Sequence, residues 1–206
     1  MARGRGHIAA VERFTKSSIS NIFTSQAAMD SINENQKEET RADLTDRDAV
    51  DRIRELVASA KSCFFCTKSG GSPSNGTRPM SVQKVDDNGS IWFLSANDSH
   101  KNAELERDSS VELYFQGSPH SDFLHLRGTA SVTTDRAVID ELWEPLAKVW
   151  FTEGKDDPRI TAIKFSPSEG YYWDTKHGAA VAGIKMLIGV ATGQTLDDSV
   201  EGTLRM

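Results

Sequence analysis

The chain has 206 residues, 37% of them hydrophobic, with a mean hydropathy of −0.47, a formal net charge of −6 and a pI near 5.4. That length suits one domain with a real core, and no apolar run is long enough to cross a bilayer as a helix. The acidic balance argues against general nucleic-acid binding, which needs a cationic surface to displace counterions, and makes a small molecule the expected ligand.

In chain order, Met1 to Ala28 carries Arg3, Arg5, Arg13 and Lys16 against Glu12 alone, and a polar stretch follows from Asp30 to Glu39. Basic and acid-poor, the first of these has the look of a transit peptide, but without turn or cap logic it reads as a disordered extension or a stretch ahead of a start at Met29. Residues 1–43 are therefore set apart from a domain over 44–206.

The domain opens at Thr45 or Asp46, either able to cap a helix with Ala49, Val50, Ile53, Leu56, Val57 and Ala60 on one face. Strands are predicted at Ser62 to Lys68, Arg78 to Val85 and Ser90 to Ser95, then a short helix from Lys101 to Arg107. A strand pair follows at Ser110 to Gln116 and Asp122 to Thr133. A second long helix after Thr134 or Asp135 carries Val138, Ile139, Leu142, Trp143, Leu146, Val149 and Trp150, with Pro145 predicting a kink or break. Two more strands, Ile160 to Ser166 and Glu169 to Asp174, lead to a last helix, roughly Ala179 to Thr192, and a polar tail. Strands do not alternate regularly with helices, so the pattern is mainly β, a closed or nearly closed antiparallel barrel with peripheral helices.

The chemistry concentrates between Arg78 and Lys101. A turn at Asp86-Asp87-Asn88-Gly89 joins two β-runs into a hairpin, and the second run delivers Ser95, Ser99, His100 and Lys101 to the start of a helix. Hydroxyls, a cation and unpaired backbone N–H groups converge there, which is what a phosphate needs. The plain alternative is a helix cap beside a solvated lysine.

Other candidates carry less. Cys63 and Cys66 lie three apart on a strand and so face opposite ways, unlike a redox pair at a helix N-terminus, and no second ligand pair supports zinc. So few cysteines suit a reducing compartment, the cytoplasm. Gly70 to Gly76 lacks the lysine and following helix of a phosphate-binding P-loop and reads as a turn. His120, Ser121 and Asp122 are chain neighbours without the elbow of a nucleophilic serine. Leu113 to Ser118 resembles an engineered protease site, yet strand-like residues flank it and it reads as native.

The segments Arg78 to Gln83 and Ser95-x-x-x-Ser99-His100-Lys101 resemble the flavin mononucleotide (FMN) site of the pyridoxamine 5'-phosphate oxidase-like split barrels. Asp140 to Pro145, Lys148 to Phe151, Gly154 to Arg159 and Pro167 through Asp174 are similar to the general-stress-protein branch of that family. The resemblance runs colinearly from about Leu44 to the C-terminus. It implies an antiparallel Greek-key split barrel and a homodimer with FMN, or FAD, at the subunit interface.

By position, the resemblance implies that Arg78 and Lys101 pair with the flavin phosphate and that Ser95, Ser99 and His100 bond to it. Pro79, Met80, Ser81, Val82 and Gln83, with Leu94, would line the ring, and Trp173 would close the pocket. The oxidases have a lysine where this chain has Gln83 and a glutamine near Phe123. After Trp173, the pyridoxal-phosphate-gripping segment of the oxidases is replaced by Asp174-Thr-Lys-His-Gly178. The expectation is a flavin-binding stress protein without the vitamin site, with no acid/base pair from which to name a substrate. Flavin-dependent redox turnover, a non-catalytic flavin-sequestering module, and an enzyme using a deazaflavin or haem on the same barrel all stay open.

Overall fold

The computed structural model describes residues 40–68, 76–178, 184–185, 187–188 and 198–206. The N-terminal stretch through residue 39, most of the glycine-rich turn and most of the expected last helix lie outside the described residues.

Strand β1 (Leu44–Thr45) leads directly into helix α1 (Asp46–Ala60). The helix buries Ala49, Val50, Ile53, Leu56 and Val57, the stripe that a 3.6-residue period lays on one face. Thr45 makes no side-chain capping bond, so the N-terminus rests on Asp46 and Asp48, whose charges suit the positive end of the helix dipole. Lys61 ends the helix in the left-handed conformation at φ 60°, its N–H bonded to the Val57 carbonyl.

Strands β2 (Ser62–Thr67), β3 (Thr77–Ser81), β4 (Lys84–Val85) and β5 (Ile91–Ala96) follow. Then come helix α2 (His100–Arg107), β6 (Ser110–Gln116) and β7 (Phe123–Thr133). In the β4–β5 turn the Asp86 carboxylate accepts from Asn88 N, Ser90 N and Trp92 Nε1, fixing the expected hairpin. The protease-like string sits within β6 and its turn, paired to β2 and β7, with Leu113 and Phe115 in the core.

Helix α3 covers only Arg136–Leu142. The expected long helix stops before Pro145, which has no N–H for an interior helical bond and instead opens a 3₁₀ turn, Pro145–Val149. That break resets the phase of the stripe. Ile139 and Leu142 are buried, while Leu146, Val149 and Trp150 stand exposed.

The two strands expected after residue 160 are one, β8 (Ile160–Thr175), with a bulge at Ser168 where the register against β7 shifts. Gly128 faces it: a Cβ there would lie 2.1 Å from the Ser166 carbonyl oxygen. The expected polar tail is a strand, β9 (Ser199–Arg205), burying Val200, Gly202 and Leu204 in alternation.

Among the described residues the strands form a nine-stranded, mainly antiparallel sheet in the order β1-β9-β8-β7-β6-β2-β3, with β5 beside β8 and β4 beside β5. Strand β8 serves three neighbours: β7 along its length, β5 through Ile160 to Phe165 and β9 through Glu169 to Thr175. The mainly β expectation holds, but the path of adjacent strands ends at β3 and does not close into a barrel through a β3–β4 ladder. One core fills the space under α1, from Ile53 and Phe65 to Phe93, Leu113, Leu126 and Phe165. A smaller one forms where Ile139, Leu142 and Phe151 meet Ile160 and Ala162.

Candidate functional site

Strand register decides where Arg78 points. It stands opposite Phe65, a fully buried core residue, whereas Pro79 stands opposite the exposed Phe64. Arg78 therefore turns to the inner face and reaches the first turns of α2. There its Nη2 donates to Glu104 Oε2 at 2.7 Å, and the Thr67 hydroxyl donates to the same oxygen at 2.5 Å. The second guanidinium nitrogen, Nη1, is buried and has no hydrogen-bond partner among the described residues.

Lys101 joins this group from the helix start. Burial pushes its ammonium below the usual lysine range, the charge of Arg78 pushes it further down, and Glu104 and Asp98 pull it partly back. Two cations thus share one carboxylate in a desolvated corner. A buried donor left unbonded is costly, so an anion that bonded Nη1 and balanced Lys101 would relieve two penalties together. A phosphate has the charge and the acceptor oxygens to do so.

A polar cluster under the same helix end fixes its approach. Ser95 Oγ and Ser99 Oγ both donate to Asn102 Oδ1, at 2.8 and 3.2 Å, and lie 3.1 Å apart. Asn102 Nδ2 donates to Thr161 Oγ1 at 2.9 Å, and Thr161 Oγ1 donates in turn to the Ser95 carbonyl at 3.0 Å. The serine protons are spent inside the protein, and the cluster ties β5, α2 and β8 together. The amides of His100 and Lys101, at the first two positions of α2, have no acceptor within the helix, while Asn102 N and Ala103 N both bond the Ser99 carbonyl.

Arg78, Ser95, Ser99 and Lys101 thus gather around the start of α2, with His100 exposed beside them. Met80 and Val82 turn inward to the core, Leu94 packs on the smaller cluster, and Ser81 is exposed. Gln83 bonds the Ser81 carbonyl through its side chain and the Trp92 carbonyl through its backbone N–H.

Trp173 is elsewhere. It pairs with Phe123 on the outer face, leans on Tyr171 at 4.7 Å between ring centroids, and walls a cavity of about 560 Å³. Of the expected site residues, only Pro79 and Trp173 line that cavity, with Phe64, Tyr114, Phe123 and His125. At its rim Glu112 accepts from the Tyr114 hydroxyl at 2.7 Å and lies 2.9 Å from His125 Nε2, the two rings being stacked. The Tyr114 bond, with help from His125, holds the Glu112 carboxyl below its usual range despite partial burial.

Sequence reasoning missed Thr67, Asn102, Glu104 and Thr161. Two of them had a signal: Asn102 and Glu104 stand three residues after Ser99 and Lys101 on one helix face. Cys63 is buried, which pushes its thiol well up, and Cys66 faces outward, as alternation requires. Among the described residues no His, Cys, Asp and Glu group could hold a metal ion, and no helix is long and apolar enough to cross a membrane.

A protein-family model described as pyridoxamine 5'-phosphate oxidase like matches residues 48–197. Protein bli-3 of Neurospora crassa is 24% identical over 132 residues, 60% of this chain; the match spans 63% of that relative's own length. A crystal structure of a general stress protein 26 from Jannaschia sp. CCS1 aligns over 77% of this chain and 99% of its own, with a TM-score of 0.63 and 24% identity, a likeness of fold. The general stress FMN/FAD binding protein of Xanthomonas citri aligns over 61% of this chain and 87% of its own, with a TM-score of 0.53 and 25% identity.

Proposed function

The chain belongs to the pyridoxamine 5'-phosphate oxidase-like family, and on that premise we propose that it is a flavin-binding general stress protein whose flavin is FMN. The observation that carries this reading is the buried, unpartnered Arg78 Nη1 beside the desolvated Lys101. Both side chains would hold the terminal phosphate, with the α2 amides, Ser99 and His100 around it and Ser95 bracing Ser99 through Asn102. A bound flavin supplies one- or two-electron transfer, and the protein supplies its position and surroundings. Electron exchange with a nicotinamide or a small acceptor is part of the proposal. Loss of the pyridoxal-phosphate segment after Trp173 argues against pyridoxamine phosphate as the substrate.

The same reading includes a split barrel and a homodimer. Supporting the barrel, Val82 N bonds the Lys61 carbonyl at 3.0 Å while Gln83 N bonds the Trp92 carbonyl at 2.9 Å, so one continuous run passes from the β2 side to the β5 side. Supporting the dimer, Phe64, Tyr114 and Trp173 are 58%, 44% and 44% exposed on one outer face around the cavity, more aromatic surface than a monomer ordinarily leaves wet. A second copy over that face would give the ring its other wall.

Fluorescence titration with FMN and riboflavin tests the proposal. FMN is expected to bind at least tenfold more tightly, since riboflavin lacks the phosphate. Equal affinities would overturn the phosphate site, and binding of neither would overturn the flavin reading. Anaerobic addition of a reduced nicotinamide to the FMN-loaded protein, followed by bleaching of the flavin band, tests electron exchange.

A further inference from the structure

The outer cavity has aromatic walls and one polar atom to spare. Phe64, Tyr114, Phe123 and Trp173 form the walls, with His125 among them. Strand register explains the grouping. Pro79, Phe64, Tyr114, His125 and Tyr171 stand opposite one another in turn across β3, β2, β6, β7 and β8, and Phe123 and Trp173 pair two residues further along β7 and β8. Alternation turns both rows to the same face. The Tyr114 and His125 rings are stacked, 6° apart in plane and 4.5 Å between centroids, which holds the imidazole in place.

Glu112 decides what that imidazole offers. Its carboxyl is held below the usual range, so it is ionised and only accepts, and His125 Nε2, 2.9 Å away, carries the proton between them. The other nitrogen, Nδ1, has no hydrogen-bond partner among the described residues and in the neutral ring is an acceptor. The remaining polar groups around the cavity are engaged or wet: the Tyr114 hydroxyl donates to Glu112, Gln116 Nε2 donates to the Ser118 carbonyl, and Ser62 is exposed. Among the described residues no Lys or Arg lines the cavity. The Arg127 guanidinium is shared between Glu112, at 3.8 Å, and Glu169, at 3.5 Å. With a carboxylate behind His125 and no cation in the walls, an anion finds no partner here.

We infer that this cavity is a binding site for an uncharged aromatic molecule bearing one O–H or N–H donor, a phenol being the simplest, with its ring against Phe123 and Trp173 and its donor on His125 Nδ1. Glu112 is the positioning residue that fixes the tautomer. At about 560 Å³ the cavity has room for two fused rings. The inference deepens the flavin reading and rests on it for one thing only, the role of the bound molecule as the small partner in electron exchange, facing a flavin ring held between the two copies.

The test is calorimetric titration of the full chain, first without flavin, using 1-naphthol, 1-methoxynaphthalene and 1-naphthoate. 1-Naphthol is expected to bind about five- to tenfold more tightly than the methyl ether, which has no donor, and 1-naphthoate most weakly. His125→Phe, which keeps an aromatic ring and removes the acceptor, is expected to bring the naphthol and ether affinities together, and Gln116→Ala to leave their ratio unchanged. Equal affinities in wild type overturn the inference without recourse to any variant. So does a ratio that survives His125→Phe or is lost in Gln116→Ala. Repeating the titration with FMN bound separates this site from the ring's own seat: retained naphthol binding supports the inference, and one-for-one displacement by FMN overturns it. If FMN does not bind while naphthol binds through His125, the cavity site stands and the flavin reading falls. If FMN binds and the two naphthalenes are not distinguished, only the cavity site is lost.

Discussion

Arg78 and Lys101 face each other across a corner where neither is fully neutralised, and this sets what their removal does. On the proposed phosphate site, Lys101→Ala and Arg78→Ala would each delete a charge-assisted contact worth about 1.5–3 kcal/mol, an expected loss of roughly ten- to a hundredfold in FMN affinity, with riboflavin nearly indifferent. In the flavin-free protein, Lys101→Ala relieves its desolvation and the repulsion from Arg78, so stability is expected to shift by less than about 0.5 kcal/mol in urea unfolding. A loss larger than that would mark Lys101 as a structural residue. The cations and serines were legible because family-like spacing marks them. Thr67 carries no such mark, and Glu104, although its spacing from Lys101 is a signal, reads as a solvated residue of a charged helix until the fold puts a buried arginine against it.

Elements were legible where one physical signal dominates. The α1 stripe and the alternation of β2, β6 and β7 each correspond to an observed element. β9 was missed because its inward positions are Val200, Gly202 and Leu204, and the central glycine removes the apolar mark that alternation needs. The structure shows why glycine stands there: a Cβ on Gly202 would lie 1.9 Å from the Ala42 carbonyl oxygen, which also accepts from the Tyr172 hydroxyl at 2.8 Å. Gly202→Ala is therefore expected to push residues 40–45 off the sheet and cost about 2–4 kcal/mol in chemical denaturation.

The other end of β9 is pinned by Asp198. Its buried carboxylate accepts from Lys185 Nζ at 2.8 Å and His177 Nδ1 at 2.7 Å. Burial alone would raise this carboxyl, but the bonds from Lys185 and His177 more than offset it and bring it to about 2. A carboxyl lower in the folded state than its unfolded value of about 3.9 contributes stability above that value and loses it as pH falls from about 4 to 2. Thermal unfolding across that window should show the loss in wild type, and Asp198→Asn should flatten it while lowering stability at neutral pH.

For the whole molecule, the outer aromatic face makes the association state the sharpest measurement. Sedimentation is expected to give a dimer, and Phe64→Lys, which places a charge in the centre of the proposed contact, is expected to yield a monomer with weakened FMN binding and an intact fold. A wild-type monomer that binds FMN fully would sink the two-walled site.

The sharing of β8 among three neighbours also sets an order of events during synthesis. β5 emerges from the ribosome about 65 residues before the segment that will flank it, an interval of roughly 3–13 s at 5–20 residues per second. Throughout that interval β5 has only the two-residue β4 at its side, and from residue 133 onward β7 has an open edge. A nascent chain with two unsatisfied strand edges is a template for pairing with its neighbours. The fold of this chain is thus most vulnerable before its sixteen-residue strand arrives, and slowing translation between residues 96 and 160 should increase its aggregation or its demand for chaperones.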